Sequence, residues 1–215
     1  MLDSKTGLEF HIETCSGNRI NILTPDSTYI DINDIAYSLS GIARFNRHTR
    51  YPEDFDDYTP IYSVAHHSYI GANLINSITK RPDFALAFLL HDAHEAYTND
   101  IPGELKKVIR MYTSVLDFIE ERLDQAIQTT LGLPTPYKEL IKEWDSLMLF
   151  IEAFILMPSK GIGWQFHPSV PALYDQVKTK SNMDWIDSMM RISNYEIELA
   201  FLQLYQQLKK ETSQR

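Results

Sequence analysis

The spacing of the apolar residues changes once along this chain, and that change limits the folds open to it. Leu8, Phe10 and Ile12 alternate with Glu9, His11 and Glu13, Ser16-Gly17-Asn18 supplies turn residues, and Ile20 and Ile22 resume the alternation. A spacing of two lays one face of a strand on a core, so a small hairpin is expected here. From Asp31 the alternation stops. Ile32, Ile35, Ala36, Leu39, Ile42 and Ala43 recur at three and four, as on a helical face, with Asp31 placed to cap it. Helical spacing then returns over about 61–79, 82–97, 112–131, 137–157 and 183–210. The fold class expected is all-α, a helical bundle with a small N-terminal β-hairpin. Between these segments, 44–60 is rich in Arg, Asp, Tyr and Pro without period, 98–103 ends a helix, Pro134 and Pro136 separate two helices, and 157–171 is a loop containing Gly and Pro.

A chain of 215 residues can bury one sizeable core, so one domain over 1–215 is expected: hairpin over 1–30, helical core over 31–160, closing loop and helix over 161–215. The net charge of −9 counts against a nucleic-acid partner that would need many phosphates neutralised. A small anionic substrate stays open, given a local positive field. Cys15 is the only cysteine, which excludes an intrachain disulfide and suits a reduced cytoplasm. The apolar runs Phe84–Leu90 and Leu147–Met157 are too short for a bilayer, and the N-terminus lacks the apolar centre of a signal peptide. No membrane partner is expected. Exposed Tyr and Met and long terminal helices favour a homo-oligomer.

The run Phe88-Leu89-Leu90 passes directly into His91-Asp92-Ala93-His94-Glu95. A carboxylate taken out of water is costly unless compensated, and a cation held by His91 and Asp92 would compensate it. Positions three, four and seven apart share a helical face. Val64, His67, Gly71, Leu74 and Ile78 form one stripe that directs His67 into the core, whereas His66 lines up with Tyr62, Tyr69 and Asn73. Phe84, Phe88, His91, Asp92 and Glu95 share a face that omits His94, and Ile141, Asp145, Met148 and Glu152 share another, embedding Asp145 in apolar surroundings. His67, His91, Asp92 and Asp145 make a nitrogen and oxygen set without thiolate, suited to Mn, Co, Fe, Zn or Mg. Singly, each has a plainer role: a satisfied core histidine, a buried acceptor, an ion pair at a helix end, a Glu95 paired with a surface Lys. Together they favour a divalent metal and hydrolysis. A general base alone supplies only about 10² to 10⁴-fold, whereas a bound cation also activates water and polarises a phosphoryl oxygen.

The order His67, His91-Asp92, Asp145 resembles the metal motif of the HD-domain phosphohydrolases. The segments 62–68, Leu90-His91-Asp92-Ala93-His94-Glu95-Ala96-Tyr97 and Asp100-Ile101-Pro102 resemble HD-domain 5'-deoxynucleotidases and a related group that includes phage dATP triphosphohydrolases. The second group is similar also at Ser16-Gly17-Asn18-Arg19, at 31–36, at Leu39-Ser40 followed by Arg44-Phe45, and at Leu156-Met157-Pro158. The resemblance implies an HD-domain bundle whose metal ligands are His67, His91, Asp92 and Asp145 and whose catalytic carboxylates are Glu95 and Asp100, without dividing their roles. It implies that Arg44 contacts the substrate phosphate, with Lys106 a weaker phosphate contact. Phe45 stands where the deoxynucleotidases carry a Trp that closes on the sugar, His66 replaces a common Glu or Gln, and Asn99 a frequent Gly. The implied activity is hydrolysis of deoxynucleotides, releasing triphosphate from a dNTP such as dATP or phosphate from a dNMP. A nucleotide-binding regulatory module without catalysis and a cyclic-nucleotide phosphodiesterase are the alternatives.

Overall fold

The computed structural model describes residues 10–51, 60–133 and 138–214, side chains at 138 and 139 excepted. The hairpin forms as its alternation predicts: β1 (His11–Glu13) and β2 (Arg19–Asn21) pair antiparallel with Ile12 opposite Ile20. Gly17 supplies the positive φ of 86° that the turn requires. The expected start at Leu8 and Glu9 lies outside the described residues. Asp34, on α1 (Ile32–Gly41), fastens the turn to the bundle by accepting from Ser16 Oγ (2.7 Å), Ser16 N (3.0 Å) and Cys15 Sγ (3.0 Å). Asp31 caps the helix as expected, accepting from Asn33 N at 2.7 Å.

After α1 come α2 (Val64–Thr79), α3 (Pro82–Leu89), α4 (Glu95–Thr98), α5 (Gly103–Tyr112), α6 (Val115–Leu131), α7 (Lys138–Leu156), α8 (Val170–Val177), α9 (Lys180–Met190) and α10 (Asn194–Ser213). Among the described residues the only sheet is the two-stranded hairpin, so the fold is all-α with a small β-hairpin. Helices α2 and α3 lie at the centre and pack on each other. Both are buried over most of their surface, which is why their apolar residues are nearly continuous. Helix α10 covers them and α1 with Ile197, Phe201, Leu204 and Leu208, a stripe at helical spacing. A Cβ at Gly71 would sit 2.2 Å from the Phe88 ring, so only glycine permits this approach of α2 to α3.

Three departures from the sequence expectation have physical causes. The helix expected over 82–97 breaks after Leu89, and His91 N reaches Phe88 O (3.3 Å) while Ala93 N reaches Leu90 O (3.2 Å) in tight turns before α4 begins. Apolar spacing continues through such turns, so it does not reveal them. Helix α5 begins directly after Pro102 and α8 begins at Val170-Pro171, so proline marks a helix start here and not only a loop. The C-terminal helix expected over 183–210 is two helices, because Ser193 and Glu196 form a capping box that starts α10. Pro134, Pro136 and Tyr137, expected at the junction before α7, lie outside the described residues.

Candidate metal centre

His67 sits in the first turn of α2, and its Nδ1 lies 2.6 Å from Glu152 Oε1. His91 lies in the turn after α3, with its Nδ1 2.6 Å from the Phe88 carbonyl oxygen. Both partners accept, so each Nδ1 carries a proton and each Nε2 is the nitrogen free to give its lone pair to a cation in place of a proton. These two Nε2 atoms are buried and make no hydrogen bond. They nevertheless face carboxylates: Asp145 Oδ1 is 3.2 Å from His67 Nε2 and 3.9 Å from His91 Nε2, and Asp92 Oδ2 is 3.1 Å from His91 Nε2 and 4.0 Å from His67 Nε2. Donor atoms of His67, His91 and Asp145 all lie within 4.8 Å of one another and could hold a metal ion. The chemistry of the set fits a divalent cation bound by nitrogen and oxygen.

Electrostatics point the same way. Burial opposes charge on His91, but Asp92 and Asp145 outweigh it and push its pKa up to about 9. Burial likewise opposes charge on Asp92, and His91, His67 and Arg44 overcome it, holding that carboxyl well below its usual range. The carboxylates therefore demand positive charge at the point where the Nε2 atoms meet. One expectation is corrected: the Asp145 side chain is 44% exposed, at the solvent edge of the cluster and not embedded in apolar surroundings.

Glu152 is the residue that sequence reasoning passed over. It lies two turns beyond Asp145 on α7 and is 0% exposed. Besides His67 it accepts from Tyr62 Oη (2.7 Å) and from an Arg44 terminal nitrogen (3.2 Å). Burial raises the pKa of such a carboxyl, yet Arg44, His67 and Tyr62 together lower it. Its signal was its position on the Asp145 stripe, an acidic group interrupting an apolar run. Arg44 is brought here because residues 42–44 pair with 62–64, through Arg44 N to Tyr62 O and Val64 N to Ile42 O, both 3.0 Å. The other Arg44 terminal nitrogen stands 3.8 Å from Asp92 Oδ2, so one guanidinium joins Asp92 to Glu152, the carboxylate behind His67.

The two remaining carboxylates flank this cluster. Glu95 begins α4 and is buried, with Oε2 unpartnered and Oε1 3.5 Å from Lys106 Nζ. Burial, followed by the charges of Asp92 and Asp100, pushes its pKa up to about 9. Asp100 is also raised, by burial first, against the pull of Arg44. It follows Asn99, which holds a positive φ of 69°, a conformation glycine adopts most readily, and whose Oδ1 accepts from Asp100 N at 3.1 Å. Asp100 opens onto a cleft of about 700 Å³ whose lining includes Arg44, Phe45, Lys107, Trp164 and Gln165. Lys106 is turned away from the lining, toward Glu95 and Glu120 (3.1 Å); the lining lysine is its neighbour Lys107. Phe45, Asn46 and Arg47 all take left-handed φ (54°, 50° and 62°), a strained turn holding Phe45 at the cleft.

The histidines nearest to His67 and His91 in sequence, His66 and His94, serve the fold. His66 is as buried as His67, contrary to the facing argument, but both of its nitrogens are engaged: Nδ1 with Ser63 N (3.1 Å) and Oγ (2.7 Å), Nε2 with Ile192 O (3.1 Å). Burial lowers its pKa to about 4, so it stays neutral. His94 pairs with Asp124 on α6 at 3.0 Å, away from the cluster as its helical position indicated.

No protein-family model matches the chain. The uncharacterized protein YfdR of Escherichia coli K12 is 34% identical over 161 residues, covering 75% of this chain and 80% of YfdR. The chain belongs to the YfdR family. A second relative, an uncharacterized protein of Rhodobacter capsulatus, is 36% identical over 146 residues, covering 64% of this chain and 68% of that protein. Among the described residues of this YfdR-family chain, no helix is long and apolar enough to cross a membrane.

Proposed function

We propose that this protein is a metal-dependent phosphohydrolase of the HD kind that acts on deoxynucleotides in the cytoplasm. The observation that carries the reading is the convergence of two buried, unpartnered Nε2 atoms, each fixed by its own Nδ1 donation, on Asp92 and Asp145. His67, His91, Asp92 and Asp145 would hold the ion, in the class Mn, Co, Fe, Zn or Mg. A divalent cation supplies Lewis-acid polarisation of a phosphoryl oxygen and a water of lowered pKa.

The chain's own residues do the rest. Arg44 keeps a buried Nε–H without an acceptor and lines the cleft, so it can bind a phosphate oxygen. Glu95, whose carboxyl pKa is raised by burial and by the charges of Asp92 and Asp100, is suited to deliver a proton to the leaving oxygen. Asp100, on the cleft beside Arg44, is suited to orient the attacking water. Lys106, directed at Glu120 (3.1 Å) and Glu95 (3.5 Å) and outside the cleft lining, holds the Glu95 side chain in position.

The test is a metal-supplemented screen of dNMPs, NMPs, dNTPs and NTPs, with phosphate, pyrophosphate and triphosphate separated. Turnover of a deoxynucleotide is expected, and Asp92→Ala should lose metal and activity together. Stoichiometric metal with no hydrolysis across the panel would replace this reading with a nucleotide-binding module.

A further inference from the structure

The cleft beside the metal centre contains an aromatic wall that metal chemistry does not require. Trp164 stands on the connection between α7 and α8, half-buried, with its ring centroid 6.0 Å from that of Phe45 and the planes inclined at 51°. It is firmly backed. Trp164 stacks on Phe166 (6.4 Å, 25°), and Phe166 packs edge-on against Phe150 of α7 (5.3 Å), which in turn meets Tyr174 of α8 (5.1 Å). The connection itself is a run of turns, Lys160 N to Met157 O, Ile162 N to Ser159 O and Trp164 N to Gly161 O, tied to α7 by His167 N to Ser146 Oγ at 2.7 Å. An indole backed in this way and left facing a cleft of mixed polar and apolar lining presents a stacking surface.

The order of groups along the cleft gives that surface its ligand. The Arg44 guanidinium carbon is 5.4 Å from the Phe45 ring centre, and the Trp164 ring lies one further step away. A phosphate at Arg44 would leave a sugar over Phe45 and place a planar heterocycle against Trp164. Gln165, next to Trp164 on the cleft, offers an amide donor and acceptor to the edge of that ring. We infer that Trp164 is the base-stacking residue of a nucleoside subsite formed with Phe45 and Gln165. This rests on the nucleotide reading above for the class of ligand, but stacking on Trp164 does not need the metal to be catalytic.

The experiment uses metal-loaded protein and probes that are not phosphate esters: deoxyadenosine, deoxyribose and inorganic phosphate, measured by isothermal titration calorimetry. Loss of a base stack weakens binding by about 5- to 150-fold. Trp164→Ala should show that loss for deoxyadenosine and none for inorganic phosphate, and Trp164→Phe should restore most of the affinity. Deoxyadenosine binding unchanged in Trp164→Ala, or no tighter than deoxyribose in the wild type, overturns the inference. Because no probe can be hydrolysed, the two readings fail separately. Trp164-dependent base binding without turnover of any nucleotide removes the hydrolase and keeps the subsite, and turnover without the Trp164 effect does the reverse.

Discussion

Glu152 bears on the metal without touching the site where it would bind. Its carboxylate fixes which nitrogen of His67 carries the proton, and it balances a buried guanidinium. Partners of this kind typically contribute 10- to 100-fold in metal affinity. Glu152→Gln keeps the shape and removes the charge, so affinity in a competitive chelator titration should fall by about 10- to 100-fold. An unchanged affinity would mean that α2 alone orients His67. A second residue-scale prediction concerns Asp34, which anchors the hairpin turn. Burial raises its pKa, but bonds from Cys15 and Ser16 outweigh this and hold it below the ordinary value of 3.8. Its folded pKa is therefore depressed, and its contribution is present above pH 3.8 and disappears as the pH falls through the folded value. Asp34→Asn should cost about 1–3 kcal/mol near neutral pH and progressively less in acid, as read by denaturant titrations across pH. A constant gap down to acid pH would show that the hairpin is not held by this charge.

At the scale of elements, the contact of α2 with α3 sets the geometry of the centre. Gly71 admits the Phe88 ring, and that ring packs against both imidazoles, 5.7 Å from His67 and 4.5 Å from His91 between centroids. Gly71→Ala would push Phe88 aside, with an overpacking cost of about 1–3 kcal/mol. Metal affinity should drop along with the melting temperature, a pairing that a remote core substitution would not produce. A lower melting temperature with intact affinity would separate the packing from the site. The same pair of helices shows what could be read from sequence. Helical facing singled out His67, His91, Asp92 and Asp145, whose side chains converge in the structure, because a face is a one-dimensional property of spacing. It missed the break after Leu89, since tight turns preserve the apolar pattern, and it missed the role of Glu152, since a stripe does not distinguish a ligand from the residue behind a ligand. Trp164 carried no signal of its own: its position depends on a loop whose turns and aromatic backing appear only in three dimensions.

For the whole molecule, the centre is a junction between remote parts of the chain. His67 comes from α2, His91 and Asp92 from the turn after α3, Asp145 from α7, and Arg44 from the strand-like pairing ahead of α2. No such arrangement exists in the unfolded chain, so an ion held here would bind the native state and stabilise it by mass action. With free metal at a thousand times its dissociation constant, that linkage is worth about 4 kcal/mol. For a protein of this size each kcal/mol moves the melting temperature by about 2–4 °C, so treatment with a chelator should lower it by roughly 8–16 °C. The control is Asp92→Ala, whose melting should not respond to chelator or to added metal. If the wild type also ignored both, the convergence of nitrogens and carboxylates would be a hydrogen-bonded core and not a metal centre. The response should follow the ion in the order of its affinity for nitrogen and oxygen donors, with Mg weakest and Co or Zn strongest. A melting series over Mg, Mn, Co and Zn therefore ranks the candidate metals without an assay of activity.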